Sequence, residues 1–222
     1  MGSEDLFHKK RERLAKDLRR KKQSRDKQPK ILIVCEDSKS SAFYLEDLAE
    51  DLGLSGVKVK GRECGSAPIS VVSYTIAEYA KSKETGDAYD RVYCVFDRDQ
   101  HDGFDEAVLK VKNIVPKGKF FTITTTPCFE FWLLLHFGQT SASFVTKGKK
   151  SPCDCANEAL KVDDKLPNYG KNKRQIYVDT KHKLVDAIKH AKQLSLLNQE
   201  TGSENPQTNM HELIEYLQSI KR

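Results

Sequence analysis

Residues 92–100 read VYCVFDRDQ, and the five apolar positions Val92–Phe96 stop at Asp97-Arg98-Asp99. An apolar run of this length without alternation fits a strand buried on both faces, the kind that parallel sheets use. A strand that ends abruptly in two carboxylates calls for a reason. In extended chain, residues i and i+2 point the same way. Asp97 and Asp99 can therefore face one point while Arg98 turns aside. Asp at a strand end also commonly caps a helix or forms an Asx turn, so the pair alone does not define a site.

A second run of the same kind, ILIVC at 31–35, ends in Glu36. Between and beyond the two runs, strand and helix patterns alternate. Phe43, Leu45, Leu48, Ala49 and Leu52 recur at helical spacing behind serines able to cap, and Gly53 stops that helix. VKVKG (57–61) alternates like a strand nearer the sheet edge. Pro68 opens a helix carrying Ile69, Val72, Ile76 and Tyr79, and Phe104, Ala107, Val108 and Val111 mark another. KFFTITTT (119–126) reads as a strand, and Pro127 starts the apolar helix CFEFWLLLHF. This order predicts an α/β fold with a parallel sheet flanked by helices.

Three regions follow: a basic N-terminal arm over 1–29, the α/β domain over 30–140, and a mostly helical extension over 141–222 packed on it. In the extension, ANEALKVDD, VDTKHKLVDAIKHAKQL and the stretch with Met210, Leu213, Ile214 and Leu217 are periodic. LPNYGKNKRQIY reads as irregular and LLNQETGSENPQT as turn-rich.

Charge separates the arm from the body. Residues 9–30 carry 12 Lys/Arg against 3 Asp/Glu; from the total of +6 this leaves −3 for the rest. Such an arm, with Arg19, Arg20, Lys21 and Lys22 at its centre, is either a solvated tail or a strip that binds phosphates by releasing counterions. No apolar run approaches the roughly 20 residues of a membrane helix, and no signal-peptide pattern occurs, so a cytoplasmic protein is expected. Cys35 and Cys94 sit in apolar runs as core residues. Cys153 and Cys155 form a CxC without a partner pair, a poor zinc signature.

In parallel α/β sheets, ligands bind beyond the carboxyl ends of the strands. If the two acid-tipped strands are neighbours, Glu36, Asp97 and Asp99 converge. Three close carboxylates repel one another unless a cation neutralises them. Mg²⁺ (or Mn²⁺), held by a few carboxylates and water, suits that role and supports phosphate chemistry. Glu130, in the first turn after Pro127, is either a fourth acid at this edge or a helix-dipole partner. His101 and Lys39 are candidate phosphate contacts, set against ordinary solvated side chains. Trp132 and His136, four apart on an apolar helix, read as core. His182, His190 and His211 read as surface residues.

The stretches ILIVCEDSKS, VYCVFDRDQH and TPCFEFWLLLHF, with NPQTNMHELIEYL as a weaker match, resemble the RloB family. The strand-end Glu followed by DxD is similar to the Toprim domain of topoisomerases, primases and OLD-group nucleases. The resemblance implies a Toprim-like sheet and a Mg²⁺-dependent nuclease cutting DNA or RNA in prokaryotic anti-phage defence. It also implies an ATPase partner, and it leaves homo-oligomers open. Under it, Glu36 is a general acid/base and possible metal ligand, and Asp97 and Asp99 bind metal. The chain departs from the family pattern at Asp37, which replaces a glycine, and at Ser41, which replaces a second acid. A catalytically degenerate module binding nucleic acid or an ATPase is the alternative. A DxD phosphatase would need Thr or Val where His101 stands, and a DxD glycosyltransferase leaves Glu36 without a role.

Overall fold

β1 (Ile31–Cys35) is buried at every position, which only a strand covered on both faces can achieve. A computed structural model describes residues 28–61, 67–98, 103–163 and 165–220, together with Arg11. In chain order the next elements are α1 (Ser40–Asp51), β2 (Val57–Lys60), α2 (Pro68–Glu84), β3 (Arg91–Asp97), α3 (Phe104–Asn113) and β4 (Phe120–Thr126). After them come α4 (Glu130–Leu134), α5 (Pro152–Lys161), α6 (Ile176–Thr180), α7 (Leu184–Thr201), β5 (Gln207–Thr208) and α8 (Met210–Ile220). One 3-10 turn, Lys181–Lys183, joins α6 to α7.

The strands form one sheet in the order β2-β1-β3-β4-β5. The first four are mutually parallel, with Ile31 opposite both Val57 and Arg91, and Val92 opposite Phe120. From β1 the chain first moves outward to β2 and then returns past β1 to β3. The winding therefore reverses between β1 and β3, which is where an open α/β sheet leaves a crevice.

Period-2 alternation distributes β1 between two cores. Ile31, Ile33 and Cys35 face a large cluster with Leu45 and Leu48 of α1, Trp132 of α4, Leu160 of α5 and Leu213 of α8. Leu32 and Val34 face a smaller cluster with Val71 and Val72 of α2 and Ala107 and Val111 of α3. The helices beyond residue 141 thus share the core on one face of the sheet.

Trp132 and His136, read as core, are both buried. His136 Nδ1 lies 3.2 Å from the Trp132 carbonyl oxygen, and its Nε2 lies 3.2 Å from the Tyr44 hydroxyl. Burial first, and then nearby His182 and Lys183, pull its pKa down to about 4 against the ring's hydrogen bonds to the Trp132 and Leu133 backbone, so the ring is neutral at pH 7.

Several expectations need correcting. The sheet is not wholly parallel: β5 pairs antiparallel with the end of β4, Thr125 opposite Thr208. α7 continues into the first part of the stretch read as turn-rich and stops at Gly202, whose φ of 70° is left-handed and comfortable for glycine. α4 begins at Glu130 rather than at Pro127 and is only 5 residues long. His211 is buried rather than on the surface, and burial lowers its pKa. His190 is partly buried, with Nδ1 2.7 Å from the Leu135 carbonyl oxygen.

β5 is too short to cover the edge of β4, and Asn209 completes the task. Its Oδ1 accepts from Thr124 N at 2.7 Å and its Nδ2 donates to Thr122 O at 3.0 Å. An exposed strand edge is a template for unwanted pairing, and a side chain that mimics a strand blocks it. Asn209→Ala should cost about 2 kcal/mol, the sum of two part-buried hydrogen bonds left half-made. Urea unfolding checks this; an unchanged midpoint would mean water replaces the amide without loss.

Candidate functional site at the sheet switch point

The first functional contact follows from register. Cys35 pairs with Val95, and Glu36 N donates to Val95 O at 2.8 Å, so Glu36 and Asp97 emerge side by side where β1 and β3 end. Glu36 Oε2 then accepts from Asp97 N at 3.0 Å. The Asp97 carboxylate accepts from Phe129 N at 3.1 Å, which ties it to the start of α4. Both acids line an open cavity of about 340 Å³ with Asp37, Lys39, Glu130 and Lys171.

Asp97 is held well above the usual carboxylate range. Burial is the largest cause, followed by the charge of Glu130, with Asp37 and Glu36 adding to it against the Phe129 hydrogen bond. A carboxyl group raised in this way disfavours the folded state when ionised. Stability at Asp97 is thus lost as pH rises through its folded pKa, and regained as pH falls towards the ordinary value of 3.8. Asp97→Asn keeps an oxygen for Phe129 N and removes the charge. It should melt above the wild type at pH 8, with the difference shrinking towards pH 4 in low-salt, metal-free buffer. Equal melting temperatures at both pH values would refute the strain.

Asp37, at the position where the resemblance implies glycine, has a structural task. It takes the capping role assigned to the serines. Its Oδ2 accepts from Ser40 N at 3.1 Å, and its Oδ1 from Ser41 N at 3.2 Å and Ser41 Oγ at 2.8 Å. The turn is also sterically committed. A Cβ on Gly61 would fall 2.4 Å from Asp37 O, so β2 can end against this turn only with glycine there.

Glu130 is buried at the cavity wall. The Tyr169 hydroxyl donates to its Oε1 at 2.7 Å and lies 3.2 Å from Ser40 Oγ. Lys171 Nζ stands 3.9 Å from the same carboxylate oxygen. Partial burial draws the Lys171 pKa down, but Glu130, Cys128, Cys153 and Asp97 outweigh it and the net direction is up. Lys171 is a fixed positive charge at any physiological pH.

Among the sequence candidates, Glu36, Asp97, Glu130 and Lys39 share this cavity. Asp99, His101, Arg19, Arg20, Lys21 and Lys22 lie outside the described residues, as does Cys64. Tyr169 and Lys171 were not singled out by the sequence. They come from a stretch that reads as irregular, and only the tertiary path brings it over the strand ends.

The carboxylate oxygens have the hardness that Mg²⁺ or Mn²⁺ requires. Among the described residues, however, no group of three or more His, Cys, Asp or Glu side chains is disposed to hold a metal ion. Of the three acids singled out for metal, Glu36 and Asp97 lie among the described residues and Asp99 does not.

The fold and site together define a mostly parallel α/β protein with an acidic cavity at its switch point. A family model described as RloB-like protein matches residues 31–217, and the chain belongs to that family. No curated protein and no solved structure matches it. Among the described residues, no helix is long and apolar enough to cross a membrane.

Proposed function

We propose that this chain is a Mg²⁺- or Mn²⁺-dependent nuclease of Toprim type that hydrolyses phosphodiester bonds in DNA or RNA, acting in prokaryotic anti-phage defence beside an ATPase partner. The observation that carries the reading is the junction of Glu36 and Asp97 at the switch point, where burial first, and then the neighbouring acids, push the Asp97 pKa up. Crowded carboxylates favour a proton or a cation, and in a cell rich in Mg²⁺ the cation is the functional answer. Glu36 and Asp97 would hold the ion with Asp99. The chemistry supplied by such an ion would be polarisation of the scissile phosphate and charge stabilisation on the leaving oxygen.

The remaining work falls to the chain. Phe129 N fixes the Asp97 carboxylate, and Asp97 N fixes Glu36. Lys171, held by Glu130, which Tyr169 orients, offers an ammonium to a phosphate oxygen in the same cavity. The basic arm supplies affinity that is independent of sequence.

Calorimetric titration of Mg²⁺ and Mn²⁺ into the wild type and an Asp97→Ala/Asp99→Ala double variant tests the assignment. Binding in the first that is lost in the second is the expected result. Absence of binding in both, with nucleic acid present, would sink it.

A second reading, a degenerate module that binds nucleic acid or an ATPase, draws on Asp37. Its carboxylate is turned into the N-terminus of α1 rather than towards Asp97. Binding of nucleic acid that survives EDTA, without cleavage of any substrate, would distinguish it.

A further inference from the structure

Lys171 lines a second cavity besides the acidic one. This neighbour has a volume of about 430 Å³, within the range of small-molecule sites, and is walled by Arg98, Thr126, Pro127, Pro152 and Asn157. Arg98 directly follows Asp97, and successive residues at a strand end point to opposite sides. One strand end thus gives an acid to the first cavity and a cation to the second. The Arg98 guanidinium is fixed by an ion pair with Glu204 and lies 5.1 Å from the centre of the Phe104 ring.

The chemistry of the second cavity is uneven in an informative way. Lys171 and Arg98 favour an anion. Asp154 also stands on the wall, held by Ser151 in a capping box, and repels an anion there. Pro127 and Pro152 present apolar ring surfaces. The Asn157 carboxamide, a donor and an acceptor side by side, has no hydrogen bond among the described residues. Thr126 is buried, and its hydroxyl has no hydrogen-bond partner among the described residues. Two cations, two apolar ring surfaces and an amide that can both donate and accept are together the kinds of group that a nucleotide's phosphate, base face and base edge require.

We propose that this cavity receives the nucleoside next to the scissile phosphate, with its phosphate towards Lys171 and its base against Asn157. A base reaches a concave cavity only when it has left its stack. The substrate class is therefore an unpaired strand of nucleic acid. This rests on the nuclease reading above, and the tests separate the two.

The first test uses the full chain in EDTA with AMP, CMP, GMP and UMP as probes, followed by saturation-transfer NMR. The mononucleotides should bind the wild type. Asn157→Trp, which fills the slot, should weaken them about tenfold or more, and Asn157→Ala serves if the larger side chain disturbs folding. The second test compares cleavage of one sequence as a single strand and as a duplex in Mg²⁺. The single strand should be cut about tenfold faster or more. Binding unaffected by both Asn157 variants, no binding at all, or equal cleavage of the duplex would each overturn the proposal. Nucleotide binding that depends on Asn157 without cleavage of any strand would overturn the nuclease reading and leave the nucleotide site standing. Cleavage without such binding would remove the site alone.

Discussion

Alanine at Asp97 is expected to lower metal-dependent cleavage by roughly a thousandfold or more, the loss seen when a preorganised charge-stabilising group is removed. The change removes a proposed metal ligand from the junction of β1 and β3. It also unburdens the cavity of a carboxylate that its neighbours oppose. Two of the three backbone links at the site survive, because Glu36 Oε2 accepts from Asp97 N and Glu36 N donates to Val95 O; the one lost is from Phe129 N to the Asp97 carboxylate. Activity and stability should therefore move apart: cleavage collapses while the melting temperature is equal to the wild type or higher. A gel assay on plasmid DNA and on single-stranded DNA and RNA, run beside thermal denaturation, reads both. Wild-type cleavage by the variant would remove the catalytic assignment of this cavity. A fall in melting temperature of many degrees would show that Asp97 is structural.

Trp132→Ala should cause the largest loss of stability, about 3–5 kcal/mol. Trp132 is fully buried, with its ring edge-to-face with His136 at 5.1 Å and with Tyr44 at 6.5 Å. Tyr44 in turn meets Phe129 at 5.6 Å and Tyr177 at 5.4 Å, so one indole supports, directly or through Tyr44, side chains from α1, α6 and both flanks of α4. Rigid neighbours cannot collapse into the space, which places the cost at the upper end. Set against a usual total of about 5–15 kcal/mol, the variant would be marginal. Equilibrium unfolding in urea should show a much lower midpoint with an unchanged slope. A loss below about 1 kcal/mol would mean that the aromatic cluster repacks.

The parts of the fold legible in the sequence were those where burial writes a pattern. β1 and β3 are covered on both faces, so their apolar runs could not be mistaken for half-exposed strands. β2 alternated because it is an edge strand, and α3 showed its stripe because one face is wet. β5 was invisible because 2 residues carry no period, and their pairing is arranged by the loop after α7. The continuation of α7 was hidden by polar residues, which are as compatible with an exposed helix as with turns. His211 borders the apolar face of α8, and only the packing decides that it is buried.

The site divides along the same line. Glu36 and Asp97 could be paired in advance because matching strands end in them, and register then makes them neighbours. Asp37 looked like a departure, although its capping bonds give it a local purpose. Lys171 and Tyr169 follow from no local rule. They reach Glu130 through a path that periodicity does not record.

The acidic cavity draws on Glu36, Asp97, Glu130 and Lys171, which are separated widely along the chain and appear in that order during synthesis. A nascent polypeptide therefore carries its first acid long before the cation that completes the cavity. Fragments released by a stalled ribosome would hold the pieces without the assembled centre. Under the proposed nuclease reading, the order of residues would act as a safety catch, released only once Lys171 has been made.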